Sequence, residues 1–248
     1  MRGRDKIVAV NRTSSFSYVC NACGLCCRDK VIVLSPFDLL RIAREAGVST
    51  SEAIARFTIR RGSILKFRDD GACVALDGLR CGVHRGRPLA CRLYPLGIER
   101  NRGGDKFVTL EAAVGSLGVY GDRGTVDDFL DAQDVGAHLD ANVRYFSLLP
   151  IFRERIAATV DFDRVLPREF WRCAVREALA ESGYDPNPLI DATFDLDGFG
   201  CGRGSDADTV AAHVGVLGEM IRREANPDIL AAAAVMLAVS LGYSPGEV

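Results

Sequence analysis

The spacing of apolar and polar positions changes character about halfway along the chain. In the first ninety-odd residues the apolar runs are short and broken by turns. "KIVAV" and "VIVLS" read as short strands on either side of a cysteine-rich loop. "SPFDLLRIAREAG" predicts a helix, with Ser35 as its cap, Pro36 at its first position and Asp38 near the positive end of its dipole. Leu39, Leu40, Ile42 and Ala43 supply its apolar face, and Gly47 ends it. "STSEAIARF" predicts a second short helix capped by Thr50 or Ser51. "SILKF" and "CVAL" read as strands joined by the turn "RDDG". "RPLACRLYPL" can hold only a brief helical turn between Pro88 and Pro95, and that turn carries Cys91. "LGIER" and "KFVTLEAAV" flank "NRGGD" as a hairpin.

From about residue 125 the apolar residues recur every three or four positions. "TVDDFLDAQDVGAHLDANVRYFSLL", "PREFWRCAVREALAESG" and "DADTVAAHVGVLGEMIRREA" therefore predict helices. "ILAAAAVMLAVSLGY", residues 229–243, is too short and too rich in alanine for a membrane span, and predicts a buried C-terminal helix. The expected fold is α+β. A small cysteine-rich metal-binding half of short strands and helices, residues 1–115, precedes a mainly helical half, residues 125–248. "VGSLGVYGDRGT" repeats glycine at 115, 118, 121 and 124 between them. It reads as a flexible linker, with a nucleotide or S-adenosylmethionine loop as the alternative.

Charge narrows the function little. A net charge of −2 gives no field that points to nucleic acid or a membrane as a partner. The acidic stretch Asp127, Asp128, Asp131 and Asp134 reads as a wet helix face, and His138 and His213 as structural residues without a motif.

Cysteine changes the picture. "VCNACGLCCRDK" holds Cys20, Cys23, Cys26 and Cys27, and "CVALDGLRCGVHRGRPLACRLYPL" holds Cys73, Cys81 and Cys91. A disulfide framework suits small secreted domains, whereas this chain has 248 residues, is 48% apolar, opens without an apolar signal run and carries nine cysteines, an odd number. The reading is a soluble protein of a reducing cytoplasm whose thiols bind metal. Structural zinc sites usually pair two knuckles, each of two cysteines two to four residues apart. Cys20 and Cys23 make one such knuckle, but Cys73, Cys81 and Cys91 stand eight and ten residues apart. The C-x2-C-x2-C run of Cys20, Cys23 and Cys26 instead matches the loop that wraps a [4Fe–4S] cluster. Iron–sulfur is thus favoured and zinc is the alternative. Adjacent Cys26 and Cys27 would point to opposite sides of an extended chain. Seven thiols suit one closed cluster with spare thiols, or two sites with one open position, with His84 as a conceivable eighth ligand. Arg28, Arg80, Arg85, Arg87 and Arg92 lie close by in sequence and could balance an anionic cluster. Cys173 reads as a core thiol, and Cys201, flanked by glycines in "GFGCGRG", as a more exposed one that could be a late ligand.

The two cysteine segments together resemble the CxxCxxCC family, also called the YkgJ-type cysteine-cluster family, over about residues 18–97. The seven cysteines match its pattern, as do Arg87, Pro88, Tyr94 and Pro95, while His84 stands where tyrosine is common. The resemblance implies zinc or iron chelation. Through the flagellin lysine N-methylases of that family it also implies S-adenosylmethionine as a cofactor, a protein substrate and methyl transfer to lysine. No radical C-x3-C-x2-C motif supports that reaction. A zinc-stapled or metal-handling protein is the non-catalytic rival.

Overall fold

The structure is a computed structural model that describes residues 8–101, 104–160, 187–201 and 204–243. It is a mixed α+β fold, with small antiparallel sheets early and helices late. The helix predicted over "PREFWRCAVREALAESG", and Cys173 with it, lies outside the described residues.

Strands β1 (Val8–Val10), β7 (Leu96–Asn101) and β8 (Gly104–Thr109) form a three-stranded sheet in the order β1-β8-β7. The predicted hairpin is its β7–β8 edge. Strand β2 (Ser15–Val19) pairs antiparallel with β9 (Val119–Thr125), Tyr18 opposite Tyr120 and Val19 opposite Val119. The glycine-spaced stretch expected as a linker is therefore largely a strand. Glycine spacing reports local permissiveness, and the partner that makes it a strand lies a hundred residues earlier. Four two-residue pieces follow the same logic: β3 (Thr58–Ile59) pairs with β4 (Ile64–Leu65), and β5 (Leu76–Asp77) with β6 (Arg80–Cys81). "VIVLS" contributes a single bridge, Val33 to Ile64, rather than a strand.

Helix α1 (Pro36–Ala46) forms as its sequence requires. Ser35 Oγ accepts the Asp38 N–H at 3.1 Å while Asp38 Oδ2 accepts the Ser35 N–H at 2.8 Å, a reciprocal cap. Helix α2 (Thr50–Phe57) is capped by Ser49, one residue before the expected cap. Thr50 is buried instead, its backbone N–H bound to Asp197 and its hydroxyl to Asp195 Oδ1 at 2.7 Å. Helix α3 (Leu89–Leu93) is the brief turn between prolines. The long helical stretch after residue 125 divides into α4 (Val126–Ala132), α5 (Val135–Phe146) and α6 (Leu149–Thr159). Helices α7 (Pro188–Ala192), α8 (Asp206–Arg223) and α9 (Pro227–Ser240) follow. Among the described residues no helix is long and apolar enough to cross a membrane. The alanine-rich α9 is buried all round, as a helix that is apolar on every face must be.

The larger apolar core joins early and late residues. Leu39, Ile42 and Phe57 from α1 and α2 lie in it with Tyr145, Phe152, Phe194, Ile221 and Ala231–Val235. A smaller cluster gathers Phe16, Leu93, Leu96 and Phe107 with Val126 and Phe129.

His213 sits at the centre of the helical part, fully buried. Its Nδ1 is 2.8 Å from the Tyr145 hydroxyl and its Nε2 is 2.7 Å from the Ala192 carbonyl. Burial, only partly opposed by the Ala192 carbonyl, lowers its pKa to about 4. An unfolded chain takes up that proton near pH 6.5, so between the two values the unfolded state holds more protons and stability falls as pH falls. Roughly 3 kcal/mol is expected to be lost between pH 6.5 and pH 4 through this one residue. Denaturant unfolding of the wild type at steps across that window should show the decline. His213→Gln, less stable at pH 7, should show a flatter profile. An unchanged slope in the variant would assign the decline to other groups.

Candidate metal centre

The first cysteine loop turns through residues of positive φ. Ala22 (φ 50°) and Gly24 (φ 73°) reverse the chain, and Gly24 leads into a 3-10 turn over Leu25–Cys27. On that turn neighbouring side chains do not alternate. Cys26 Sγ and Cys27 Sγ stand 3.9 Å apart, on the same side, which corrects the expectation from an extended chain. The loop then runs beside the second cysteine segment. Asp29 N–H donates to the Gly71 carbonyl at 2.9 Å, Arg28 bridges Ala72, and Cys73 N–H donates to the Cys27 carbonyl at 2.8 Å. Cys73 also bridges Phe67, so the "RDDG" turn closes directly onto it.

Cys81 arrives on β6, paired with Leu76. Cys91 arrives on α3, whose entry turn lies against α1. Gly86 has no room for a side chain there, because a Cβ would run into the Arg41 carbonyl and the Glu45 side chain. Asp38, buried at the start of α1, accepts the Leu89 N–H at 2.8 Å and so fixes the residue two before Cys91. His138 of α5 is fully buried and places Nδ1 2.8 Å from Oδ1, the same carboxyl oxygen that accepts the Leu89 N–H.

All eight described cysteines are free thiols. Cys73 is buried, Cys27, Cys81 and Cys91 are half-buried, and Cys27 and Cys81 pack on the core that includes Cys73. Burial, reinforced by Cys73, Cys81, Asp38 and Cys26, drives the Cys91 thiol far above its ordinary pKa. Burial likewise raises Cys73 and Cys81, each opposed in part by nearby backbone N–H groups. The Cys26 and Cys27 sulfurs share a hydrogen bond. That bond carries Cys27 well up and brings Cys26 down to about 6, against its burial and with help from Lys30. Backbone N–H groups of Leu117 and Leu25 lower Cys23. Among the described residues, no three His, Cys, Asp or Glu side chains already surround one point as finished metal ligands.

The donor set suits a soft or borderline cation. Several thiols share one low-dielectric neighbourhood where each suppresses ionisation of the next, and a cation relieves that repulsion. The cations near them are Lys30 beside Cys26, Arg68 beside Cys73 and Arg87 beside Cys81. Lys30 and Arg68 were not singled out by the sequence, though each lies within a few residues of a cysteine. Arg92, expected to face a cluster, is buried and binds backbone instead. It donates to the carbonyls of Arg87 (3.0 Å), Gln133 (2.7 Å) and Arg85. His84 is exposed, its carbonyl accepting from Arg87 at 2.8 Å. Cys201, expected to be exposed, is 4% exposed and points to the Phe199 carbonyl at 3.6 Å. Gly200, at φ 78°, allows the tight turn that leads into it.

A mixed fold with thiols from three distant segments drawn together defines a cysteine-cluster protein. Residues 19–109 match the model of the CxxCxxCC family, described as "Putative zinc- or iron-chelating domain", so the resemblance read from the cysteine spacing holds over that segment. An uncharacterized protein of Methanocaldococcus jannaschii is 29% identical over 94 residues, which make up 36% of this chain and 50% of that protein. The chain thus spans about half the length of the curated relative it matches. No solved structure matches.

Proposed function

We propose that the chain holds a thiolate-bound metal centre, and that a [4Fe–4S] cluster is its occupant. One observation carries the metal reading: Cys26, Cys27, Cys73, Cys81 and Cys91, from three separate stretches, lie within electrostatic reach of one another, with Cys73 N–H bonded to the Cys27 carbonyl. The C-x2-C-x2-C run of Cys20, Cys23 and Cys26 supports iron–sulfur over zinc. Thiols kept for metal imply a reducing compartment such as the cytoplasm.

Zinc is the second reading, favoured by one distance. The 3.9 Å between Cys26 Sγ and Cys27 Sγ is close to an edge of a zinc–thiolate tetrahedron, about 3.8 Å for a Zn–S bond of about 2.3 Å. Purification without oxygen, followed by metal and sulfide assays and a visible spectrum, separates the two. A brown protein with iron and acid-labile sulfide is the expected result. A colourless protein with stoichiometric zinc overturns the cluster and keeps the thiolate site. A metal-free protein overturns both.

A further inference from the structure

Cys26 and Cys27 are neighbours whose side chains the fold sets together. Positive φ at Ala22 and Gly24 leads the chain into the 3-10 turn that carries them, and their sulfurs end 3.9 Å apart. The peptide between them is trans. Their Cα atoms are therefore about 3.8 Å apart, closer than the span of about 4.4–6.8 Å that disulfides usually bridge. A bond closed between them is strained, and strained disulfides are the readily reduced, regulatory ones. The pair can also be reached from solvent. Both cysteines are half-buried, and Asn21, Asp29 and Lys30 around them are exposed. Lys30, within electrostatic reach of Cys26, offers a cation to a carboxylate-bearing thiol compound.

We propose that Cys26 and Cys27 close a reversible disulfide with each other, with glutathione disulfide as the oxidant, and that this bond keeps metal out of the cluster. The disulfide rests on the geometry of the pair, and its control of metal rests on the thiolate-metal reading above. One thiol of the pair, as thiolate, attacks a sulfur of glutathione disulfide. The S–S bond of the oxidant breaks, and its other half leaves as a thiolate that takes up the proton the cysteine gave. The second cysteine then attacks the cysteine sulfur of the mixed disulfide. The remaining glutathione leaves and takes the second proton. Two cysteine thiols are oxidised to one disulfide, and glutathione disulfide is reduced to two molecules of glutathione. Sulfurs joined in this way are no longer thiolates, so two donors are withdrawn from metal. Excess reduced glutathione reopens the strained bond, which confines metal loading to reducing conditions.

The test uses the full chain purified without oxygen, one sample as isolated and one treated with a chelator. Both are titrated with glutathione disulfide and read by intact-mass spectrometry. The chelated wild type should lose two hydrogens and regain them in excess reduced glutathione. Fragmentation of that wild-type product should cut the chain on either side of Cys26–Cys27 and leave the pair joined. Cys20→Ser/Cys23→Ser should close the same bond, whereas Cys27→Ser should stop at a glutathione adduct. A bond mapped to any other pair overturns the disulfide, as does a wild type that is unchanged or gains only glutathione. Zinc added back should bind less to the closed form than to the open one. Equal zinc uptake by the two forms overturns the control of metal and leaves the disulfide standing. A reduced chain that takes up neither zinc nor iron refutes the thiolate-metal reading instead, while the mass shift still judges the disulfide.

Discussion

Cys91→Ala is expected to release the bound metal and to loosen the cysteine-bearing segment as a unit. The side chain it removes sits where three thiols from other segments approach, and its helical turn is held from below by Asp38. Metal bound to ligands that the unfolded chain does not gather contributes its binding free energy to folding. Losing one thiolate ligand should therefore cost several kcal/mol, beyond what deleting a sulfur from a packed site would cost. Hydrogen exchange would report it. Amides over residues 20–30 and 71–93 should lose protection together, because their backbones are laced through Cys73–Cys27 and Asp29–Gly71. Full metal content in Cys91→Ala would show that the two segments do not share a site.

The second large effect is expected at Asp38→Ala. This buried carboxyl takes the Ser35 N–H, the Leu89 N–H and the His138 ring, all at 2.8 Å. Its removal strands two backbone donors and an imidazole in the interior, for a loss of about 3–5 kcal/mol. Because Leu89 precedes Cys91 on the same short turn, metal affinity should also drop, by roughly 10–100-fold, the usual effect of losing a group that orients a ligand. Burial works to raise the Asp38 pKa, but the His138 bond and the N–H donors outweigh it and hold it below the ordinary value. Its contribution is then complete above the unfolded carboxyl pKa near 4 and is lost as pH falls through the lower folded value. The stability gap between wild type and Asp38→Ala should be widest near neutrality and shrink below about pH 4, as measured by denaturant unfolding. A gap that is constant with pH would show that Asp38 acts as a neutral group.

What the sequence made legible was local. The α1 cap, the turn between Pro88 and Pro95, the β7–β8 hairpin and the buried α9 follow from neighbours a few residues away. The seven cysteines and their family pattern are equally local, since spacing alone carries them. What was hidden depends on distant partners. Val119–Thr125 becomes a strand because Ser15–Val19 is there to pair with it. His138 had no motif because its partner, Asp38, is a hundred residues earlier. The Cys26–Cys27 pair was misjudged for a different reason: the alternation rule assumes an extended chain, and positive φ at Ala22 and Gly24 folds this one into a turn.

The pairing of β2 with β9 also orders events in time. Ser15–Val19, the strand that leads into the first thiols, has its partner at residues 119–125, beyond the end of the segment that matches the CxxCxxCC family. As the chain leaves the ribosome, Cys20 to Cys91 all emerge before the strand that fastens the first loop exists. Chains fold from the N-terminus as they are made, at about 5–20 residues per second. The strand that leads into Cys20 and Cys23 therefore stays without its β9 partner until Thr125 has cleared the exit tunnel.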